Sequence, residues 1–292
     1  MKRVLILGST GMLGNAVQSI LQVANIDVMS SARKSSPMPG LIQFDATSQS
    51  PNHLFESTGN LDYVINCIGV IKPHINDNNR KQVKNAIQIN SIFPNELAEQ
   101  AEIHGFKVIQ IATDCVFSGS TGDYSESSPH EPHDVYGKTK SLGEVTSPNF
   151  MNIRCSIIGP ENGRSTSLWE WVANQPSGAE VNGYLDHLWN GVTTKAFGEI
   201  CRGVIEKDQF LAGTHHLVPF DSANKHELVS MIAETVGRTD IRVTPINTGV
   251  PINRTISTEF PEVNKALWAG AGYSSVPSIR EMVEAAAAGS NL

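Results

Sequence analysis

The stretch that most constrains the fold is a short apolar run followed at once by a glycine-rich turn. Residues 4–7 are all apolar, which predicts a strand buried on both faces of a sheet. Gly8, Gly11 and Gly14 follow in a G-x-x-G-x-x-G spacing, and residues 12–21 carry an apolar stripe of helical period. A strand, a glycine turn and a helix in this order predict a Rossmann-type α/β domain. The glycines would let a dinucleotide pyrophosphate approach bare backbone N–H groups at the helix N-terminus.

The end of the second predicted strand, residues 26–29, bears on which dinucleotide would bind. An NAD site usually has Asp or Glu there to bond the ribose 2′-hydroxyl. Residues 30–34 read Ser-Ser-Ala-Arg-Lys and contain no acid. Hydroxyl groups and a cation suit a 2′-phosphate, so we expect NADP(H), bound through Ser31 and Arg33, with NAD(H) as the alternative. Arg33 and Lys34 could instead be a solvated loop.

Short apolar runs alternate with helix-period patterns through the first 160 residues. This alternation is typical of a doubly wound parallel sheet with helices on both faces. The pattern predicts further strands at residues 63–68, 107–112, 153–158 and 215–218, and helices at 85–104, 135–145, 194–205, 227–236 and 278–288.

The alternation stops after Pro160, where aromatic residues cluster among glycines and asparagines. We therefore expect two regions in the chain. A Rossmann domain would comprise residues 1–159 plus about 192–218, and a smaller substrate-binding region would comprise about 160–191 plus 219–292. The smaller region is expected to cover the carboxyl edge of the sheet, where ligands of open α/β sheets bind.

Composition argues against several kinds of function. The chain of 292 residues has a net charge of −7, and neither a nucleic-acid nor a membrane partner is expected. No apolar run approaches the ~18 residues of a membrane span. The four cysteines form no C-x-x-C pair, which argues against zinc and fits a reduced, cytoplasmic protein. Adjacent His215 and His216 would point to opposite faces of a strand, one packed and one solvated, so no metal is expected.

A tyrosine and a lysine four residues apart carry the predicted chemistry. On a helix, Tyr136 and Lys140 lie on one face, so the ammonium can sit near the phenol. Its charge is expected to lower the phenol pKa from the usual value of about 10. A phenol tuned in this way can exchange a proton with a ketone or alcohol oxygen near neutral pH. Thr113, just after a predicted strand, precedes this pair.

These pieces, in this order, resemble the extended short-chain dehydrogenase/reductases, and among them the dTDP-4-dehydrorhamnose reductases and related sugar-nucleotide enzymes. The resemblance spans nearly the whole chain and includes Ala-Thr-Asp-Cys-Val-Phe-Ser-Gly at 112–119 and Val-Tyr-Gly-Lys-Thr-Lys at 135–140. It implies NADPH-dependent reduction of the C4 ketone of a nucleotide-linked deoxy sugar, as in dTDP-rhamnose biosynthesis for polysaccharide precursors. It also allows a homodimer, because family members include dimers.

The resemblance implies a role for each residue of the site. Thr113 would hydrogen-bond the substrate carbonyl, Tyr136 would donate the proton, and Lys140 would hold the nicotinamide ribose. Asp114 would touch the sugar, and Arg254 could meet a diphosphate. The residues expected to bind the cofactor are Gly8, Thr10, Gly11, Met12, Leu13, Gly14, Ser31, Arg33, Asp45, Ala46, Cys67, Ile68, Gly69, Tyr136 and Lys140.

Simpler roles stay open for several of these residues. Thr113 could cap local backbone at a strand end, and Asp114 could serve only in a turn. Arg254 could be an exposed loop arginine. Asn90 is interpreted as bonding backbone within its own bent helix, not as a proton relay.

Two rival functions follow from the same resemblance. One is another reaction of the fold on a nucleotide sugar, such as 4-epimerisation or dehydration. Dehydratases usually add acids beside the catalytic Thr, but Asp114 is followed here by Cys115 and not by Glu. The other rival is a non-catalytic NADP-binding regulatory subunit, because a regulatory subunit of methionine adenosyltransferase resembles this branch.

Overall fold

The computed structural model describes residues 1–34, 40–161 and 166–288. Its strands are β1 Lys2–Leu7, β2 Ile26–Ala32, β3 Leu41–Gln43, β4 Tyr63–Asn66, β5 Lys107–Ala112, β6 Phe150–Arg154, β7 Ile157–Ile158, β8 Glu180–Tyr184, β9 His187–Trp189, β10 Val192–Thr193, β11 Gly213–His216, β12 Ala223–Asn224, β13 Arg242–Ile246 and β14 Ile252–Asn253. Its α-helices are α1 Met12–Gln22, α2 Asn52–Thr58, α3 Arg80–Ile87, α4 Phe93–His104, α5 Val135–Leu142, α6 Leu168–Ala173, α7 Thr194–Glu206, α8 Lys225–Thr235, α9 Pro261–Ala271 and α10 Ile279–Ala288.

The central sheet has seven parallel strands in the order β11-β6-β5-β4-β1-β2-β3. The chain runs outwards from β1 in both directions, through β2 on one side and β4 on the other. This is the doubly wound, Rossmann-type sheet that the sequence predicts. The crevice at the carboxyl ends of β1 and β4 is therefore the topological switch point, where ligands of such sheets bind.

The two faces of β1 explain why residues 4–7 are all apolar. Val4 and Ile6 pack into the core on one face of the sheet, and Leu5 and Leu7 pack into the core on the other face. Helices α1, α7 and α9 pack in succession on the first face, and α4 covers the second face. Within the described residues, no helix has both the length and the apolar character needed to cross a membrane.

A row of polar side chains crosses the buried sheet at one level. Asn66 on β4 donates to Gln110 Oε1 on β5 (2.8 Å), and Gln110 donates to Asn152 Oδ1 on β6 (3.1 Å). Asn152 in turn donates to Thr214 Oγ1 on β11 (3.3 Å). These residues are in register across the four strands. Because buried amides are costly unless they are paired, the row fixes the register of strands that end at the crevice.

The strand predicted at residues 153–158 is wrong at both ends. The main-sheet strand is Phe150–Arg154, and Ile157–Ile158 pairs with Val192–Thr193 in a separate two-stranded sheet. The early start was missed because a polar residue such as Asn152 weakens a strand pattern until its cross-strand partners are known. The short edge strand β3 and helix α2 were not predicted either.

The helix predicted at residues 85–104 is two helices joined by a π turn. Residues Gln88–Ile92 form that turn between α3 and α4, and α4 ends at His104, followed by Gly105 in the left-handed conformation. The turn carries Asn90, which donates to the Val70 carbonyl (2.9 Å) and accepts from the Val70 N–H (2.9 Å). Asn90 thus bonds the backbone of the segment that follows β4, and not backbone within its own helix as we predicted.

Candidate active site

A cavity of about 750 Å³ opens beside the carboxyl ends of β1 and β2. Among the described residues, α1 begins at Met12 and its N-cap is Gly11, which has no side chain to accept from the first backbone N–H groups. The helix packs closely on β1 because Gly14 lacks a side chain: a Cβ there would lie 2.2 Å from the Gly8 carbonyl oxygen. Uncapped N–H groups at a helix N-terminus suit an anionic pyrophosphate.

Most residues predicted to bind the cofactor lie around this cavity or the cleft beside it. Ser31 differs, because it is fully buried and its carbonyl accepts a hydrogen bond from the Ser9 N–H (2.9 Å). Asp45 accepts from the backbone N–H of Thr47 (3.0 Å), which shapes the turn at the cavity wall. The cavity is lined by Gly8, Thr10, Gly11, Arg33, Asp45 and Ala46, the cleft by Gly11, Met12 and Leu13, and both by Cys67, Ile68 and Gly69.

The adjoining cleft, of about 410 Å³, holds the three predicted catalytic residues together. Thr113 follows β5 and is the N-cap of a 3-10 turn, Asp114–Val116. Its hydroxyl accepts from the Cys115 N–H (3.2 Å), so the local capping role is present. Thr113 on this turn and Tyr136 on α5 both line the cleft. The strand end and the helix therefore present their hydroxyl groups to the same space.

Helix α5 places Tyr136 and Lys140 in the cleft, and its start is fixed by Asp134. The Asp134 carboxylate accepts from the Gly137 N–H (2.8 Å) and pairs with Lys72 (2.7 Å). Farther along, the Lys140 ammonium donates to the Ile111 carbonyl (2.8 Å). The helix ends at Leu142 and not at residue 145 as predicted. The Asp134–Gly137 contact near the start of α5 and the Lys140–Ile111 contact near its end thus hold the helix face that carries Tyr136 and Lys140.

Gly137 lets α5 approach the turn that carries Asp114. A Cβ at this position would lie 2.3 Å from the Cys115 carbonyl oxygen, which is backbone and cannot swing away. We expect Gly137→Ala to displace Tyr136 from Thr113 and to lower kcat by about tenfold or more, since small misplacements are costly in catalysis. In Gly198→Ala the nearest atom would be the flexible Ile20 Cδ1 (2.7 Å), so that variant should keep its activity. Wild-type kcat in Gly137→Ala would contradict this account of α5.

The ionisation of the tyrosine differs from the sequence prediction. Burial raises the pKa of Tyr136 above its usual value, and the nearby Thr113 hydroxyl opposes this only in part. Burial also lowers the pKa of Lys140 to about 8, while the Glu144 carboxylate acts in the opposite direction. The expectation that Lys140 lowers the Tyr136 pKa is therefore wrong here, because desolvation outweighs attraction. Tyr136 is a neutral phenol at pH 7 and can donate a proton.

Asp114 lies beside Thr113 with two cations near it. Burial raises the Asp114 pKa, and the charges of Arg254 and Lys225 act to lower it. Arg254 donates to the carbonyls of Phe117 (3.1 Å) and Ser118 (3.2 Å), whereas Lys225 lines the cleft itself. Lys225 was not predicted as a site residue. The one available signal is its place as first residue of α8, where the helix dipole disfavours a cation.

Behind α5 lies a buried cluster around Arg154. Arg154 Nη2 contacts Glu144 Oε2 (2.5 Å) and His130 Nε2 (2.9 Å), and its Nη1 contacts His216 Nε2 (2.6 Å). Burial lowers the pKa of His216 to about 4, so this ring is neutral at pH 7. His215 and His216 are 7% and 1% exposed, and the prediction that one is solvated is wrong because β11 is covered on both faces. Within the described residues, no group of three or more His, Cys, Asp or Glu could hold a metal.

Comparison with known proteins shows the family of this chain. A family model for the RmlD substrate binding domain matches residues 1–286. Methionine adenosyltransferase 2 subunit beta of Rattus norvegicus is 27% identical over 258 residues, 84% of this chain and 75% of that protein. The spore coat polysaccharide biosynthesis protein SpsK of Bacillus subtilis is 26% identical over 242 residues, 81% of this chain and 80% of that protein. The crystal structure of dTDP-4-dehydrorhamnose reductase from Bacillus anthracis in complex with NADP has a TM-score of 0.77 at 22% identity over 98% of each chain, a likeness of fold.

Proposed function

The chain belongs to the RmlD substrate-binding domain family, and from this premise we propose that it is an NADPH-dependent reductase of a nucleotide-linked 4-keto deoxy sugar. The observation that carries the proposal is the meeting of Thr113, Tyr136 and Lys140 in one cleft that adjoins the glycine turn. The names of the B. anthracis reductase and of SpsK support a sugar nucleotide as substrate and a polysaccharide precursor as product.

The cavity beside the cleft fits a dinucleotide. The uncapped start of α1 suits the pyrophosphate, and Gly69 and Ile68 join this cavity to the catalytic cleft. Arg33 and Lys34 line the far wall, where their charges suit a 2′-phosphate, and this supports NADP(H) over NAD(H). When bound, the nicotinamide would supply a hydride for the substrate carbon.

The residues of the cleft would then protonate and hydrogen-bond the carbonyl oxygen of the substrate. Tyr136, neutral because burial raises its pKa, donates a proton to that oxygen as negative charge develops. Thr113 donates a hydrogen bond to the same oxygen and so polarises the carbonyl. Lys140, held by the Ile111 carbonyl, contributes a positive charge and hydrogen bonds to a ribose hydroxyl. Asp114 offers a polar contact to the sugar.

The proposal is tested by NADPH oxidation with a 4-keto-6-deoxy sugar nucleotide, first dTDP-linked and then UDP-linked. Turnover with either substrate supports the reductase, and the ratio of the two kcat/KM values gives the base preference. Tight NADPH binding without oxidation of either substrate would reject it.

A second candidate is a non-catalytic, NADP-binding subunit. It is favoured by the similarity to methionine adenosyltransferase 2 subunit beta, which extends over 84% of this chain. Against it stands the complete set of Thr113, Tyr136 and Lys140 in one cleft. Hydride transfer to any 4-keto sugar nucleotide separates the two, since a purely regulatory subunit would bind NADPH without consuming it.

The pH dependence of cofactor binding is expected to follow Lys140. Burial lowers its pKa to about 8, so the ammonium is charged below that pH and loses its charge above it. Tyr136 stays protonated over the same interval because its pKa is raised. NADPH affinity should therefore fall as pH rises through about 8, and fluorescence titrations between about pH 6 and about pH 9.5 measure this. Lys140→Arg should abolish the fall, because Arg keeps its charge. Constant affinity in the unaltered protein across that range would contradict the role of Lys140.

A further inference from the structure

Lys225 is a cation in the catalytic cleft that the mechanism above does not use. It is the first residue of α8 and lines the cleft together with Thr113, Asp114 and Tyr136. Its ammonium lies 5.4 Å from the ring centroid of Trp189. Within the described chain, no carboxylate forms an ion pair with it and no oxygen accepts a hydrogen bond from it. A helix dipole disfavours a cation at this position, so helix stability does not explain it.

Lys225 also stands where two cavities meet. One is the catalytic cleft, and the other is a surface cavity of about 620 Å³ whose walls include Trp171, Tyr184 and His187. Lys225 and Leu168 line both cavities. A ligand whose reacting end lies at Tyr136 and whose other end lies in the second cavity would pass directly beside the ammonium.

The charges around Lys225 favour an anionic partner from outside the chain. Partial burial of an ammonium without a counter-ion is unfavourable, and the Trp189 ring compensates for it only weakly. The charge of Asp114 reaches Lys225, but the two groups form no ion pair, and Asp114 is also near Arg254. The Lys225 ammonium, where the two cavities meet, is therefore a positive charge without an ion-pair partner among the described residues.

We propose that Lys225 binds the diphosphate of the substrate, the segment that joins the sugar to the nucleoside. The inference rests on the proposed function, because it takes the substrate to be a nucleotide sugar. In such a molecule the diphosphate lies between the reacting sugar and the nucleoside, which matches the place of Lys225 between the two cavities. Lys225 then determines specificity, since it selects diphosphate-linked sugars over uncharged ones.

The test compares Lys225→Gln with Lys225→Arg in the full chain. UDP, dTDP and uridine are titrated by calorimetry, NADPH by fluorescence, and the melting temperature is recorded to confirm folding. Lys225→Gln should weaken UDP and dTDP binding by about tenfold or more, because a charged hydrogen bond is lost. Its affinity for NADPH and for uridine should not change, and Lys225→Arg should keep most of the affinity for the diphosphates.

A matched control removes a lysine charge elsewhere. Lys265 is exposed and pairs with Glu262 (2.8 Å), so Lys265→Gln should leave UDP and dTDP binding unchanged. Equal affinity of Lys225→Gln and the unaltered chain for UDP and dTDP would overturn the inference, and so would absence of binding to the unaltered chain. A response confined to UDP-glucuronate, and not to UDP, would also overturn it, since the lysine would then bind the sugar carboxylate.

The two proposals can fail separately. Diphosphate binding that depends on Lys225 in a chain that never oxidises NADPH would reject the reductase and support the role of Lys225. Reduction by Lys225→Gln with an unchanged KM for the sugar nucleotide would support the reductase and reject the role of Lys225.

Discussion

Tyr136→Phe should lower kcat for reduction of a 4-keto sugar nucleotide by about a hundred- to ten-thousand-fold, the usual contribution of a positioned general acid. The substitution removes the phenol that faces Thr113 and keeps the ring in place. NADPH affinity should change little, because the pyrophosphate contacts at the start of α1 are untouched. Steady-state kinetics and a fluorescence titration of NADPH measure both quantities on the same preparation.

The matched control for this variant is Tyr63→Phe. Tyr63 begins β4, and its hydroxyl lies 3.5 Å from Asp208, at the end of the strand opposite the cleft. Loss of this hydroxyl should leave kcat unchanged. If Tyr136→Phe keeps nearly full activity while the melting temperature is normal, Tyr136 is not the proton donor.

Arg154→Met should lower the free energy of unfolding by about 3–5 kcal/mol, the usual result of removing one partner of a buried ion pair. The side chains of Arg154 and Glu144 are 3% and 5% exposed, so the Glu144 carboxylate would be left buried without its partner. Urea denaturation followed by circular dichroism measures the change. Because Glu144 lies two residues after the end of α5, loss of activity should accompany the loss of stability.

The control for this prediction is an exposed pair. Arg280 and Glu234 are 51% and 60% exposed, and Arg280→Met should cost less than about 1 kcal/mol because water screens such pairs. In the double variant with Glu144→Gln, part of the loss should be recovered, since the unpaired charge is gone. A loss below about 1 kcal/mol in Arg154→Met alone would show that the buried cluster does not stabilise the fold.

The parts of the fold that were predicted correctly have strong local patterns. Residues 4–7 are apolar at every position because both faces of β1 are covered, and the glycine turn follows this strand directly. Tyr136 and Lys140 share one helix face by spacing alone. The strand ending at Ala112 fixes Thr113 at the same edge of the sheet, so the order of these pieces was sufficient to predict that they meet.

The parts that were missed depend on partners far away in the sequence. Asn152 can lie in a buried strand because Gln110 and Thr214 on the neighbouring strands form hydrogen bonds with its side chain. His216 is buried because its ring contacts Arg154, and spacing within β11 gives no sign of this contact. Lys225 reaches the cleft through the packing of α8. In the same way, the pKa of Tyr136 depends on burial, which the Tyr–Lys spacing does not reveal.

The measurement that tests the central claim most directly is the transfer of deuterium from C4-deuterated NADPH to the sugar. The purified protein is incubated with the labelled cofactor, carrying deuterium on each face of the ring in turn, and a dTDP- or UDP-linked 4-keto-6-deoxy sugar. We predict that one of the two labels appears at C4 of the product sugar, detected by NMR and mass spectrometry, and that Tyr136→Phe abolishes its appearance. If deuterium from neither face reaches the sugar, although both ligands bind, the chain is not the reductase proposed here.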